Sequence, residues 1–226
     1  MGPGWSQSGS MLEADPILFG ALSIRGMNDV GYNVLTWDPR GFGASTGLAE
    51  VDSPNYEARD VEQLIDWVAT QPGVQLDGAR DPRMGMVGGS YGGGIQFVTA
   101  AQDCRVDAIV PIIAWHSLGT SLFKADTPKT GWANLLMVAA SQAHLDPTIK
   151  SSNDAANSTG IFSADDAKFF TDRGPAELVS KIHVPTLIIQ GTVDTLFTLD
   201  EAVSNYQLLQ QAGTTVSMLW YCGGHG

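Results

Sequence analysis

Met84-Gly-Met-Val-Gly-Gly-Ser90-Tyr91-Gly92-Gly93-Gly94-Ile95 decides how the rest of this chain is read. It predicts a short apolar strand, a glycine-crowded turn holding one serine, and a helix through Ile95, Phe97, Val98 and Ala100. Gly88-Gly89-Ser90-Tyr91-Gly92 fits G-x-S-x-G, the nucleophile-elbow pattern. A strand that turns at once into a helix forces the serine into strained backbone geometry, and side chains two residues to either side would collide. Glycine at those positions removes the clash and leaves the hydroxyl standing at the strand's end. The same turn puts the Tyr91 backbone N–H at a helix N-terminus, where it can face a developing oxyanion. The bare pattern is weak, because roughly 0.2 chance matches are expected at this glycine content. An ordinary glycine-rich turn or a phosphate cradle would look similar. A P-loop, however, requires G-K-[ST], which Gly93-Gly94-Ile95 does not supply.

Composition narrows the context. The 226 residues suit one domain with a sizeable core. Hydrophobic content of 43% fits a globular chain. Twelve basic against 24 acidic residues give a net charge of −12, which argues against nucleic acid or an anionic membrane as partner. Cys104 and Cys222 are too few for a disulfide framework and lack metal-ligand spacing, so free thiols are expected, with a single bridge as the alternative. No apolar run reaches transmembrane length, and no basic segment followed by an apolar core opens the chain. Cytoplasmic and secreted locations both stay open, as does the oligomeric state.

Around the elbow the chain alternates strands and helices. Asp15 as N-cap and Pro16 at the first position predict a helix stopping near Gly31. Tyr32–Trp37 has strand composition, and Asp38–Gly47 is a loop. That loop lacks the dinucleotide fingerprint, because Leu48 to Asp52 separate its last glycine from the next helix. Ser53 and Pro54 are expected to open that helix, with Val61, Leu64, Ile65 and Val68 on its core face and Gly73 at its end. Val106–Ile113 and Val184–Gln190 read as buried parallel strands, and Val216–Tyr221 as the last strand. Residues 114–181 are too long for a simple connection. They mix helical patches such as Trp132 to Ala143 with polar stretches such as Ser151 to Thr159, and are expected to form an inserted cap. Thr198-Leu-Asp-Glu201 predicts a capping box for a helix ending near Gly213. The expected architecture is an α/β protein with a mostly parallel sheet.

In such sheets functional groups gather at the carboxyl ends of strands. Ser90 follows one strand, Asp194 the strand ending at Gln190, and His225 the last strand. Ser…Asp…His is the α/β-hydrolase order. Each partner also has a plain alternative. Asp194 could be a turn residue, and Asp200 is a rival acid already explained by the capping box. His183 precedes a strand, His144 lies in the cap, and His116 follows a strand end but precedes Asp194 in the chain. The joint occurrence of three suitable residues favours the triad.

The chain resembles α/β-hydrolases of the Xaa-Pro dipeptidyl-peptidase and cocaine-esterase-like group. The resemblance rests on Trp37-Asp-Pro-Arg-Gly-Phe-Gly-Ala-Ser-Thr-Gly47, Gly88-Gly-Ser-Tyr-Gly-Gly93, Asp107-Ala-Ile-Val-Pro111, Gln190-Gly-Thr-Val-Asp194 and Gly224-His225. It implies an α/β-hydrolase fold spanning residues 1–226 as one catalytic domain, with the cap inserted at about 114–181. By the same resemblance Ser90 is the nucleophile, His225 the general base and Asp194 its orienting acid, and the Asp38–Gly47 loop is structural. Gly4-Trp5-Ser6 occupies the place of the family's other oxyanion loop, which makes the Trp5 N–H the second donor beside Tyr91. Pro3 stands where the family usually has histidine. The family's sheet has strands before that loop, its third strand lies centrally, and the chain continues beyond the histidine. The sequence is therefore expected to be an internal piece of a longer enzyme.

The expected function is two-step acyl transfer from an ester or short peptide through a Ser-His-Asp triad, without metal or organic cofactor. Ester and proline-peptide substrates are not separated. A dipeptidyl-peptidase needs an acid for the substrate's free amine, and the sequence singles out none. Trp115, Trp132, Leu135, Leu136 and Met137 suggest an apolar pocket wall, or simply core. Two other readings stay open: a truncated chain that hydrolyses nothing, and a hydrolase-like binding protein.

Overall fold

A computed structural model describes residues 1–13, 23–125 and 127–226. The fold is built on a four-stranded sheet of β3 (Gly85–Gly89), β4 (Ala108–Ile112), β7 (Thr186–Gly191) and β8 (Val216–Tyr221), in that spatial order and parallel throughout. Strands β1 (Leu76–Gly78) and β2 (Asp81–Pro82) form a small antiparallel hairpin ahead of β3. The register runs Gly85↔Ala108 to Gly89↔Ile112 on one side and Thr186↔Val216 to Gly191↔Tyr221 on the other. All four strands therefore end toward the same edge, where Ser90, Asp194 and His225 follow them. This is the predicted α/β-hydrolase architecture, and the β8 bounds match the sequence reading.

Helix α1 (Ile24–Asp29) starts at Ser23, whose side chain accepts from Gly26 N–H. It ends at Asp29, and Gly31, near which the stop is expected, follows with φ +93°. The predicted cap Asp15-Pro16 lies outside the described residues. Helix α2 (Glu57–Val68) begins three residues later than Ser53-Pro54 predicts. The reason is local: Ser53 Oγ accepts from Asn55 N–H, and the Glu57 carboxylate reaches back to the N–H groups of Glu50 and Ser53. Those bonds close a turn before the helix. Val61 and Ile65 face the core from α2.

Helix α3 (Tyr91–Ala100) follows β3 directly and is buried along its whole length. It packs with Val179, Ile182, Leu209 and Ile109 in the main core. Truncating a side chain such as Leu209, which is 0% exposed, would cost about 2–5 kcal/mol.

The expected strand at Tyr32–Trp37 does not form. Its one cross-chain backbone bond among the described residues comes from the Met1 amine, which donates to Leu35 O at 2.7 Å. Gly2 on its other side makes a single parallel bridge to Gly88 and donates to Val87 O. A strand needs a continuous ladder, and two residues between Tyr32–Trp37 and β3 supply only its first rung.

Between β4 and β7 the chain forms α4 (Leu118–Leu122), a short antiparallel pair β5 (Phe123–Lys124) and β6 (Thr127–Pro128), α5 (Thr130–Ala139), α6 (Pro147–Thr159) and α7 (Ala164–Thr171). A 3-10 turn over Ala176–Lys181 then leads into β7. The polar stretch Ser151–Thr159 is part of α6, not a connection between helices. Asp146 caps α6, Pro147 opens it, and Gly160 ends it in a left-handed conformation. These helices and the loop around Phe42 share a second apolar core containing Tyr91, Trp115, Ile149, Phe162 and Phe170.

Helix α8 (Leu199–Gln211) starts at Thr198 without the predicted capping box. Glu201 turns away instead, and its carboxylate accepts from the N–H groups of His116 and Ser117 and from Thr120 Oγ1. A tertiary contact has taken the side chain that local spacing assigned to the cap. Cys104 and Cys222 are both free and exposed.

Candidate active site

Ser90 adopts φ 55° and ψ −119°, a strained conformation for a residue with a side chain, and its hydroxyl makes no capping bond. Its own N–H is held by Ile112 O at 2.8 Å. A Cβ on Gly88 would lie 2.6 Å from Gly2 O and 2.8 Å from Gly92 O, and one on Gly92 would lie 2.0 Å from Gly2 O. The flanking glycines are needed for the turn and because Gly2-Pro3 rests directly against it.

Asp194 and His225 are in direct contact. His225 Nδ1 lies 2.7 Å from Asp194 Oδ2, which also accepts from the His225 backbone N–H at 3.2 Å. The other carboxylate oxygen accepts from Leu196 and Phe197 N–H at 2.9 and 2.8 Å. The chain crossing that allows this depends on glycine: a Cβ on Gly224 would lie 2.4 Å from Asp194 Cα, and one on Gly191 would lie 2.0 Å from Gly223 O. His225 Nε2 is buried and has no partner. The His225 ring stands edge-on to Phe197 at 5.1 Å. Phe197 in turn lines a cavity of about 70 Å³ that Ser90 also lines.

That cavity is walled by apolar side chains of the second core, including Trp5, Leu118, Leu136, Ile149 and Phe170. Met137 and Trp115 of the expected wall line it. Trp132 stands against His225 instead, and Leu135 is 55% exposed. The Trp5 indole packs on Phe42 and Tyr91 and donates to Leu136 O of α5 at 2.9 Å. The Tyr91 N–H is the first of α3 and so lacks an intrahelical acceptor.

The rival histidines are engaged elsewhere. His116 Nδ1 bonds Asn205 Oδ1 at 2.8 Å, His183 is exposed before β7, and His144 bonds the 41–49 loop through its backbone. Asp200 is exposed and pairs with Lys124. In the Asp38–Gly47 loop the Asp38 carboxylate accepts from Gly9 and Ala44 N–H, a structural role.

Behind the elbow lies a group the sequence did not single out. Tyr91 OH donates to Glu57 at 3.2 Å and accepts from Asp52 N–H at 3.3 Å. Asp52 is wholly buried at φ +54°, and neither carboxylate oxygen has a well-formed hydrogen bond. Burial, and then the Glu57 charge, push the Asp52 carboxyl well above the ordinary range, with the Ile95 N–H offsetting only part. Burial also raises Glu57, and raises Tyr91 further with help from both acids. Nothing in local spacing marks Asp52, because its neighbours come from α2 and α3. Lys129, also unanticipated, donates to the carbonyls of Thr195 and Leu196 and so ties the insertion to the Asp194 loop. Among the described residues no cluster of metal-binding side chains occurs, and no helix is long and apolar enough to cross a membrane.

Residues 5–226 match the family model described as X-Pro dipeptidyl-peptidase (S15 family). A relative from Escherichia coli, a 31.7 kDa protein encoded in the traX-finO intergenic region, is 36% identical over 87 residues. That match covers 38% of this chain and 29% of the relative. An esterase of Pyrococcus furiosus superposes with TM-score 0.61 at 18% identity, covering 99% of this chain and 73% of the esterase. A CocE/NonD family hydrolase from Staphylococcus aureus superposes with TM-score 0.58 at 18% identity, over 80% of this chain and 31% of the other. For the Pyrococcus horikoshii acylaminoacyl peptidase the TM-score is 0.53 at 18% identity, over 83% of this chain and 27% of that one. The chain belongs to the X-Pro dipeptidyl-peptidase (S15) family, hydrolases of α/β-hydrolase fold.

Proposed function

We propose that this chain is a serine hydrolase acting on an ester or amide through Ser90, His225 and Asp194, by way of an acyl-enzyme. The observation that carries the reading is the Asp194–His225 pair, 2.7 Å apart, with the opposite ring nitrogen buried and free. Asp194 fixes the tautomer with the proton on Nδ1, so Nε2 is the basic nitrogen. His225 Nε2 takes the Ser90 proton as Oγ attacks the carbonyl carbon. The N–H groups of Tyr91 and Trp5 hold the oxyanion, and the leaving group departs with the proton from Nε2. Water then repeats the sequence on the acyl-enzyme and releases the acid. No step requires a metal or organic cofactor. The substrate is a small ester or short peptide, in keeping with esterases and peptidases among the structural relatives. The helices over residues 114–181 act as the cap of a single catalytic domain.

A fluorophosphonate probe tests this directly. Labelling should appear on the folded protein and vanish in Ser90→Ala. A folded protein that takes no label would favour the binding-protein reading or an incomplete enzyme.

A further inference from the structure

The cavity beside Ser90 holds about 70 Å³ of open space, several times the about 10–15 Å³ that one water needs. None of the described residues lining it has a charged side chain. The polar tips of Trp5 and Tyr91 are engaged: the indole donates to Leu136 O, and the phenol bonds Glu57 and the Asp52 N–H.

The acids next to these walls are occupied as well. Glu50 pairs with Arg173 at 2.7 Å, and Asp194 holds His225. Asp166 accepts from the hydroxyls of Ser152 and Ser163. Asp52 is 0% exposed, and burial holds its carboxyl well above the ordinary range. A substrate ammonium in this cavity would therefore meet no counter-ion.

Taking an ammonium out of water costs several kcal/mol even after relaxation. An aromatic face returns about 0.5–2 kcal/mol. Phe162 stacks on Phe123 and Phe170, with ring centres 5.3 and 5.6 Å apart, so these faces are turned to one another. Desolvation is the larger effect. A hydrocarbon chain instead gains about 0.8 kcal/mol for each CH2 it buries.

We infer that Ser90 takes uncharged hydrocarbon acyl groups seated in this cavity, and that peptides with a free N-terminal amine are excluded. The inference rests on Ser90 as nucleophile. The acyl group stays bonded to Ser90 Oγ through both steps, whereas the leaving group must escape to solvent. In a dipeptidyl substrate the free amine belongs to the acyl side of the scissile bond, and so to the side that lacks a counter-ion.

Heptanoyl and 6-aminohexanoyl groups differ only by CH3 in place of NH3⁺ at pH 7, and their p-nitrophenyl esters and p-nitroanilides form the test. With the esters, kcat/KM should favour heptanoyl by about 10²-fold or more. Equal rates, a preference for the amine, or cleavage of glycylprolyl p-nitroanilide as fast as the heptanoyl anilide would overturn the inference. Binding is measured separately by titrating Ser90→Ala with the two anilides and following tryptophan fluorescence. Tighter binding of the heptanoyl anilide supports the inference even if no ester is hydrolysed, in which case only the catalytic reading of Ser90 fails. Equal binding of the two, or binding of neither, overturns it. Ile149→Trp locates the chain: by filling the cavity it should lower heptanoyl cleavage relative to p-nitrophenyl acetate. An unchanged ratio in the folded variant would place the acyl group elsewhere. Should that variant not fold, the comparison of CH3 with NH3⁺ in the parent protein decides alone.

Discussion

Asp194 holds His225 twice, by the ring Nδ1 at 2.7 Å and by the backbone N–H at 3.2 Å. Its other oxygen is held by Leu196 and Phe197 N–H. A carboxylate fixed on both sides can orient an imidazole without reorganising during a reaction. Asp194→Asn should keep the geometry but favour the wrong tautomer. Hydrolysis of p-nitrophenyl acetate is expected to fall by about 10³–10⁴-fold with an unchanged circular dichroism spectrum. Near-full activity in this variant would remove Asp194 from the triad.

Gly224 is the hinge of that contact, because a Cβ there would lie 2.4 Å from Asp194 Cα. Gly224→Val should separate the Asp194 and His225 backbones. A displacement near 1 Å costs about 10²-fold in rate, so fluorophosphonate labelling should slow by at least that factor. Labelling at the parent rate would mean the loops can part without harm.

Asp52 makes stability depend on pH. Its carboxyl is raised in the folded protein by burial and by Glu57, so the native state keeps a proton that the unfolded chain releases. The stability from this group is complete below the ordinary carboxylate value, about 4, and is lost as pH rises toward the folded value. Asp52→Asn should therefore raise Tm at pH 7–8 by a few degrees, at about 2–4 °C per kcal/mol. At pH 4 the two proteins should melt alike. A lower Tm for the variant at pH 8 would contradict the direction of the shift.

Lys129 bonds the carbonyls of Thr195 and Leu196 at 2.9 and 2.7 Å. Lys129→Met keeps the aliphatic stem and removes both bonds. Stability should fall by about 1 kcal/mol or more, and amide exchange should quicken at Leu196 and Phe197, whose N–H groups bond Asp194. Unchanged exchange there would show that the loop holds itself.

Much of the site was legible because it is written in local patterns. Strand, glycine-flanked serine and helix meet within twelve consecutive residues, a pattern weak alone that the later strand ends at Asp194 and His225 strengthen. Asp194 and His225 were readable from their positions after apolar strands, since parallel strands bring their carboxyl ends to one edge. Helix α6 was missed: Asp146-Pro147 and Gly160 carry its start and stop signals, but Ser151–Thr159 between them read as a polar stretch.

Other expectations failed where distant partners competed with local ones. Glu201 had the spacing of a capping box, yet two N–H groups after β4 hold its carboxylate. Tyr32–Trp37 had strand composition, yet composition provides no neighbour to complete a ladder. The sequence by itself determined the strand–turn–helix around Ser90, the mostly parallel character of the sheet and the placing of Asp194 and His225 after its strands, because these follow from periodicity, glycine and chain order. Only the tertiary structure decided that Asp52 sits unpaired behind the elbow and that Lys129 ties the insertion to the Asp194 loop. Those features depend on which groups meet across elements far apart in the chain, and burial then sets what each uncompensated polar atom costs.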